Sequence, residues 1–169
     1  MRKNLVLLGM MAVGKTTAAK IVAKKLNLEF VDIDKNIENR NMMEIKRIFE
    51  KKGENFFREE EEKEVLRSLK KDSCVIALGG GAFLNETIRK NILKNCISVW
   101  LDVNIKTLVK RVRWNQKRPL LKKGSNYKVL KEIYNTRKEI YKTANHRVAC
   151  NKLNKVNLAE KIISIYEKY

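Results

Sequence analysis

The chain has 169 residues, 44% of them hydrophobic, which suits one domain with a substantial core, and no uninterrupted apolar run approaches the roughly 20 residues that a membrane span needs. It is strongly basic, with 38 Lys and Arg against 19 Asp and Glu, and residues 103–155 alone hold 16 basic residues and 2 acidic ones. The single histidine, His146, leaves almost nothing for histidine metal sites or Ser-His-Asp catalysis and is read as structural. Cys74, Cys96 and Cys150, widely spaced and without a C-x-x-C pair, read as packed reduced thiols.

In chain order, the first signal is an apolar run at 5–8, then G-M-M-A-V-G-K-T at 9–16, then a helical pattern over 15–26. This is the G-x-x-x-x-G-K-[ST] phosphate loop. Its glycines let backbone N–H groups of Gly9, Met10, Met11, Ala12, Val13 and Gly14 curl around phosphates, Lys15 supplies a point charge to the β/γ oxygens, and Thr16 offers a hydroxyl to Mg²⁺. A nucleoside triphosphate is therefore the expected ligand. Met1-Arg2-Lys3 and the apolar stretch through Val13 also resemble a secretory signal, but the same stretch delivers the phosphate loop in register and no small-residue cleavage site follows before Gly14-Lys15. A cytoplasmic protein is expected.

Further strand-like runs lie at 29–33, 74–78, 97–101 and 146–150, separated by amphipathic helical stretches. That alternation predicts an α/β fold with a parallel sheet covered on both faces. Residues 34–72 are too many for one crossover helix and read as a small helical insert, broken at Gly53. Residues 115–126, polar, basic and holding the only proline, read as a mobile loop. No internal repeat or low-complexity linker interrupts the single domain.

A phosphate-loop protein also needs a carboxylate near Mg²⁺, at the end of an apolar strand. The third strand ends in Gly79-Gly80-Gly81 and offers none. The fourth ends in Asp102, which serves equally as a metal carboxylate or as an N-cap for the helix starting near Asn104. The second ends in Asp32-Ile33-Asp34, and in an extended segment positions 32 and 34 point the same way, so both carboxylates would share one cleft.

Together these residues resemble the shikimate kinase family. The resemblance spans nearly the whole chain: G-M-M-A-V-G-K-T-T at 9–17, F-V-D-I-D at 30–34, G-E-N-F-F-R-x-x-E at 53–61, G-G-G-A at 79–82, R-P-L-L at 118–121 and R-K-E-I-Y-K-T-A at 137–144. It implies a P-loop kinase three-layer fold with a five-stranded parallel sheet of order 2-3-1-4-5, a helical substrate-binding insert at about 34–72, a lid at about 115–126, and transfer of the γ-phosphoryl of MgATP to the 3-hydroxyl of shikimate. It further implies that residues 9–17, including Thr17, cradle ATP with Arg111 and Arg118. Asp34 should read substrate hydroxyls and act as base, Arg58 and Arg137 should hold the carboxylate with Glu61 orienting Arg58, and Gly79, Gly80 and Gly81 should bring N–H groups to the ring. Thr16 and Asp32 fall on the Mg²⁺ side, and Lys15 and Arg118 are the cations on the migrating phosphoryl group.

The chemistry of the residues agrees, since a small hydroxylated acid calls for cationic forks, which arginine supplies better than lysine. Plainer readings stand beside each assignment: Arg58 as a helix-surface cation paired with Glu61 or Glu62, Arg137 as one more charge in a basic helix, Gly79–Gly81 as a flexible turn, Asp34 as an N-cap and Arg118 as a solvated loop charge. The family often has a glycine where this chain has Ala18-Ala19, a change expected to touch packing only, and the segment around Cys150–Asn154 leaves the adenine contacts unassigned. Competing functions are a gluconate-type or nucleotide kinase and a nucleic-acid-binding ATPase. The basic stretch has no base-reading or stacking element, so the expected partners are ATP and shikimate, with no specific nucleic acid and no membrane, acting on a monomer.

Overall fold

A computed structural model describes residues 3–113 and 127–169. Five strands, β1 (Leu5–Leu8), β2 (Glu29–Asp32), β3 (Cys74–Ala77), β4 (Ile97–Asp102) and β5 (His146–Ala149), form one sheet in the order β2-β3-β1-β4-β5, every neighbouring pair parallel. The helices among the described residues are α1 (Lys15–Leu26), α2 (Ile33–Asn41), α3 (Ile45–Ser68), α4 (Glu86–Asn95), α5 (Ile105–Arg113), α6 (Tyr127–Tyr141) and α7 (Lys155–Tyr166).

β1, β3 and β4 are buried along their whole length. Strands enclosed by helices on both faces lose the alternation of a half-solvated strand, which is why they read as short continuous apolar runs. β1 lies between the other two, with Leu5 opposite both Val75 and Ile97. Helix α1 covers the sheet beside it and packs on α7. At the far side, α3 bends at Gly53, whose φ of 82° and ψ of 171° are not helical, so the expected break divides it into two helical stretches.

The expected extended placement of Asp34 is not what forms. β2 ends at Asp32, whose carboxylate accepts the Lys35 N–H at 3.1 Å and caps α2, so the chain turns helical at Ile33 and Asp34 lies in the first turn of that helix. The N-cap is Asp32, not Asp34. Local side-chain-to-backbone bonding of this kind competes directly with strand extension, and here it wins.

Asn4, just before β1, ties three segments together. Its amide donates to the carbonyls of Leu69 at 3.2 Å and Lys71 at 2.7 Å, and its side-chain oxygen accepts the Cys74 N–H at 2.9 Å. The end of α3 is thereby joined to the start of β3. Asn4→Ala leaves these partners unsatisfied at a buried position and is expected to cost about 1–3 kcal/mol, read as a lower urea midpoint with an unchanged slope.

Candidate active site

The loop between β1 and α1 leaves the sheet where β1 meets β4. Gly9, with φ of +135°, comes so close to β4 that a Cβ there would stand 2.6 Å from the Leu101 carbonyl oxygen. A side chain at this position collides with backbone, so the loop needs glycine on both conformational and steric grounds. Lys15 is buried, and its ammonium donates to the carbonyls of Gly9 at 2.9 Å and Met10 at 3.0 Å, which places its charge over the loop. Arg111 of α5 donates to the Val13 carbonyl at 3.0 Å. The Thr16 hydroxyl donates to Asp32 at 2.9 Å, joining the start of α1 to the end of β2.

Beside the loop is a cavity of about 260 Å³, bordered by Val13, Thr17, Arg111, Cys150, Asn154 and Leu158 among others. The last three come from the C-terminal segment, which the sequence motifs left unassigned. No motif reveals them because they meet the phosphate loop only after β5 is placed beside β4.

On the other side of the loop the glycine run after β3 is crowded by charged side chains. A Cβ on Gly79 would strike a Glu61 carboxylate oxygen and stand 2.8 Å from Asp34; one on Gly81 would stand 2.7 Å from Arg58; one on Gly80 would stand 3.3 Å from the Met11 nitrogen. This is close ligand-like approach rather than a flexible turn. Arg137 of α6 donates to the Gly80 carbonyl at 3.1 Å and is only 9% exposed, so it is not one more solvated cation. Arg58 donates to Glu61 at 2.7 Å and also to Glu54 at 3.0 Å. Asp34, Arg58, Glu61 and Arg137 thus converge on one glycine strand end.

Burial pushes the Glu61 carboxyl above its usual range, because Arg58 and Arg137 only partly offset the lost solvation and Asp34 adds repulsion. One Glu61 oxygen is buried with no hydrogen-bond partner among the described residues. Burial works against the Arg58 charge too, but Glu61 and Glu54 outweigh it and hold the guanidinium pKa up.

Asp102 does not cap a helix; Asn104 does, accepting the Thr107 N–H at 2.8 Å. The Asp102 carboxylate instead accepts two bonds from Arg147, at 3.0 and 2.6 Å, and one from the Tyr134 hydroxyl at 3.0 Å. These bonds tie the end of β4 to α6 and β5. His146 pairs with the Tyr169 hydroxyl at 2.8 Å, away from the glycine run. All three cysteines are free and buried, and burial raises each thiol pKa to about 11. Ala18 and Ala19 are both buried in the core. Arg118 and the 115–126 loop lie outside the described residues.

A phosphate loop at the end of a central parallel strand, with a cavity on one side and a cluster of charged side chains around a glycine run on the other, defines a kinase of the P-loop class. A model of the family described as "Shikimate kinase" matches residues 11–167. A shikimate kinase of Sulfurihydrogenibium sp. is 41% identical over 162 residues, 96% of this chain and 96% of that relative. A solved shikimate kinase of Acinetobacter baumannii, described in complex with shikimate, superposes with a TM-score of 0.95 at 30% identity over 99% of this chain and 94% of that one. The chain belongs to the shikimate kinase family and is an enzyme that uses ATP. A gluconokinase of Sinorhizobium meliloti, at 14% identity and a TM-score of 0.61 over 99% of this chain and 94% of that one, shares the fold alone.

A carboxyl whose native pKa is raised holds its extra stability below the unfolded value of 4.5 and loses it as pH rises through the native value. The parent is therefore expected to lose stability relative to Glu61→Gln as pH rises from below 4.5. Urea midpoints of the two proteins across a pH series measure this, and parallel curves would refute the buried, raised carboxyl.

Proposed function

We propose that the two sides of the phosphate loop divide the labour, with ATP on the loop and the adjoining cavity and shikimate on the glycine run after β3. The reaction is transfer of the γ-phosphoryl group of ATP to the 3-hydroxyl of shikimate, giving shikimate 3-phosphate and ADP. The observation that carries the division is the 3.3 Å between the Cβ position of Gly80 and the Met11 nitrogen, which brings the acceptor cleft against the loop that holds the donor.

In this reading Arg58 and Arg137 form the fork for the acceptor carboxylate, Glu61 orients Arg58, and the glycine run offers N–H groups to ring hydroxyls. The helical segment 34–72 is then the acceptor-binding insert. Asp34, near Gly79, orients the attacking hydroxyl and receives its proton as the oxygen bonds to the γ-phosphorus and the bridging oxygen leaves with ADP. Because the transition state is loose, holding these atoms in line contributes at least as much as removing the proton. Lys15 neutralises charge on the β/γ oxygens, and Arg118, outside the described residues, is assigned as the second cation on the migrating phosphoryl group. The cavity at Thr17, Arg111, Cys150 and Leu158 takes the nucleoside end of ATP.

Mg²⁺ fits the donor set. The Thr16 hydroxyl and Asp32 carboxylate are hard oxygen donors already 2.9 Å apart, and this ion takes one or two protein oxygens together with substrate phosphates. Among the described residues no group of three or more His, Cys, Asp or Glu gathers as a closed metal cage. When bound, the ion supplies positive charge to the phosphate oxygens. Buried free thiols favour a reducing, cytoplasmic setting, and no described helix is long and apolar enough to cross a membrane. The enzyme is read as a monomer, and the basic stretch acts as a general attraction for anionic substrates rather than a nucleic-acid reader.

With MgATP, shikimate is expected to be phosphorylated, and gluconate or nucleoside monophosphates are not to any comparable extent; a coupled ADP-release assay over that panel decides. In the same assay Asp34→Asn should lower kcat steeply with little change in the KM for ATP. Arg58→Ala should lower kcat/KM for shikimate by about two to three decades, as the loss of a buried charged partner does, and the analogue lacking the carboxylate should be hardly worse for this variant than for the parent.

A further inference from the structure

Tyr141 entered none of the assignments above, yet it is the most enclosed polar side chain at the site. It ends α6 fully buried, its ring 6.0 Å from that of Trp100, and its hydroxyl donates to the Gly80 carbonyl at 2.5 Å. Arg137, four residues earlier on the same helix face, donates to the same oxygen at 3.1 Å. Both lone pairs of one carbonyl are thereby used.

We propose that Tyr141 is a positioning residue for the acceptor, holding the Gly80 carbonyl so that the Gly80–Gly81 peptide and the Arg137 guanidinium keep fixed directions toward the substrate. The proposal rests on the reading that Arg137 grips the shikimate carboxylate. Three successive glycines have more backbone freedom than any other run, and an N–H that must meet a ring hydroxyl needs an external anchor. The described peptides include no cis bond, so in this planar unit the Gly80 oxygen and the Gly81 N–H point in opposite directions. Fixing the oxygen toward α6 fixes the N–H away from it. The Arg58 guanidinium lies 2.7 Å from the Cβ position of Gly81, so the same residue borders the carboxylate fork.

The phenol also relieves Arg137. A guanidinium has five N–H donors, and if the carbonyl had no other partner it would compete with the substrate for more of them. Tyr141 is suited to the task because it is short, stiff and packed against Trp100, and burial raises its pKa, keeping it a neutral donor. Tyr134, a further residue on the same helix, donates to Asp102 at 3.0 Å, so α6 is anchored to the ends of both β3 and β4.

Tyr141→Phe keeps the ring and removes only the hydroxyl. The expected result is a rise of about five- to tenfold in the KM and Kd for shikimate, with the KM for ATP within about twofold and the thermal midpoint lower only by the few degrees that one buried hydrogen bond contributes. Combined with Arg137→Met, the loss should be smaller than the product of the two single losses, because both side chains act on one carbonyl. An unchanged shikimate KM in Tyr141→Phe, while Arg137→Met raises it, overturns the positioning role and leaves the carboxylate reading standing. Equal rises for both substrates, or a lost thermal transition, mark a general loosening and also overturn it, as does a double variant whose losses multiply. An unchanged shikimate KM in Arg137→Met overturns the carboxylate reading and this inference with it.

Discussion

The hydrogen bonding of β1 to β3 on one side and to β4 on the other is the constraint on which the site depends. The sheet order reverses direction at this strand, and ligands of open parallel sheets bind beyond the carboxyl ends of the strands at such a point. Because the strands are in register, with Leu7 opposite Ala77 and Leu8 opposite Trp100, the loops after β1, β3 and β4 leave at one level. The phosphate loop is therefore flanked by the glycine run on one side and by the Asp102 anchor on the other. A slip of one residue in either pairing would turn every buried side chain of that strand to the opposite face, so the apolar packing of the core and the alignment of the site are secured by the same interactions.

The cleft has a distinct electrostatic character. Charged groups are gathered where solvent is scarce, and the glycine run is the reason they fit: any side chain at Gly79 or Gly81 would displace Glu61, Asp34 or Arg58. A buried charge left without its partner is far more costly than one never buried, so Arg58 and Glu61 act as a unit, and the guanidinium is held in one orientation. A second buried carboxylate, Glu64, lies one helical turn beyond Glu61 and receives bonds from Asn36 at 2.9 Å and Arg67 at 3.2 Å, with Arg40 at 3.1 Å. It fastens α2 to α3, so Asp34 on one helix and Arg58 on the other hold their separation. Rigid elements place functional groups more accurately than loops do.

The contrast between Asp32 and Asp34 shows where a sequence reading fails. The expected extended segment does not form: Asp32 caps a helix and bonds to Thr16, while Asp34, in the first turn, lies against Gly79. The helix start is marked by the Asp32 carboxylate accepting the Lys35 N–H. Arg137 was singled out by the family motif alone: within a basic helix it resembles its neighbours, and it is the packing of α6 that buries it at the Gly80 carbonyl. Tyr141 falls within the 137–144 motif, but its place in a helix does not tell a core aromatic from one that anchors a loop.

What the sequence by itself determined is local or periodic: the phosphate loop between a buried strand and a helix, the alternation that requires a parallel sheet, the break at Gly53, and a set of ordered motifs specific enough to indicate the family. These are legible because glycine conformations, strand and helix periods and a lysine at a set distance from its loop are properties of contiguous residues. Tertiary structure alone decided that Arg137 loses its solvent, that the Gly80 carbonyl oxygen receives two donors, and that Cys150, Asn154 and Leu158 close a cavity with Val13 and Thr17, more than a hundred positions earlier. Those outcomes depend on which faces of separate elements are pressed together once the sheet closes, and burial, unlike periodicity, is a property that no single stretch of chain possesses.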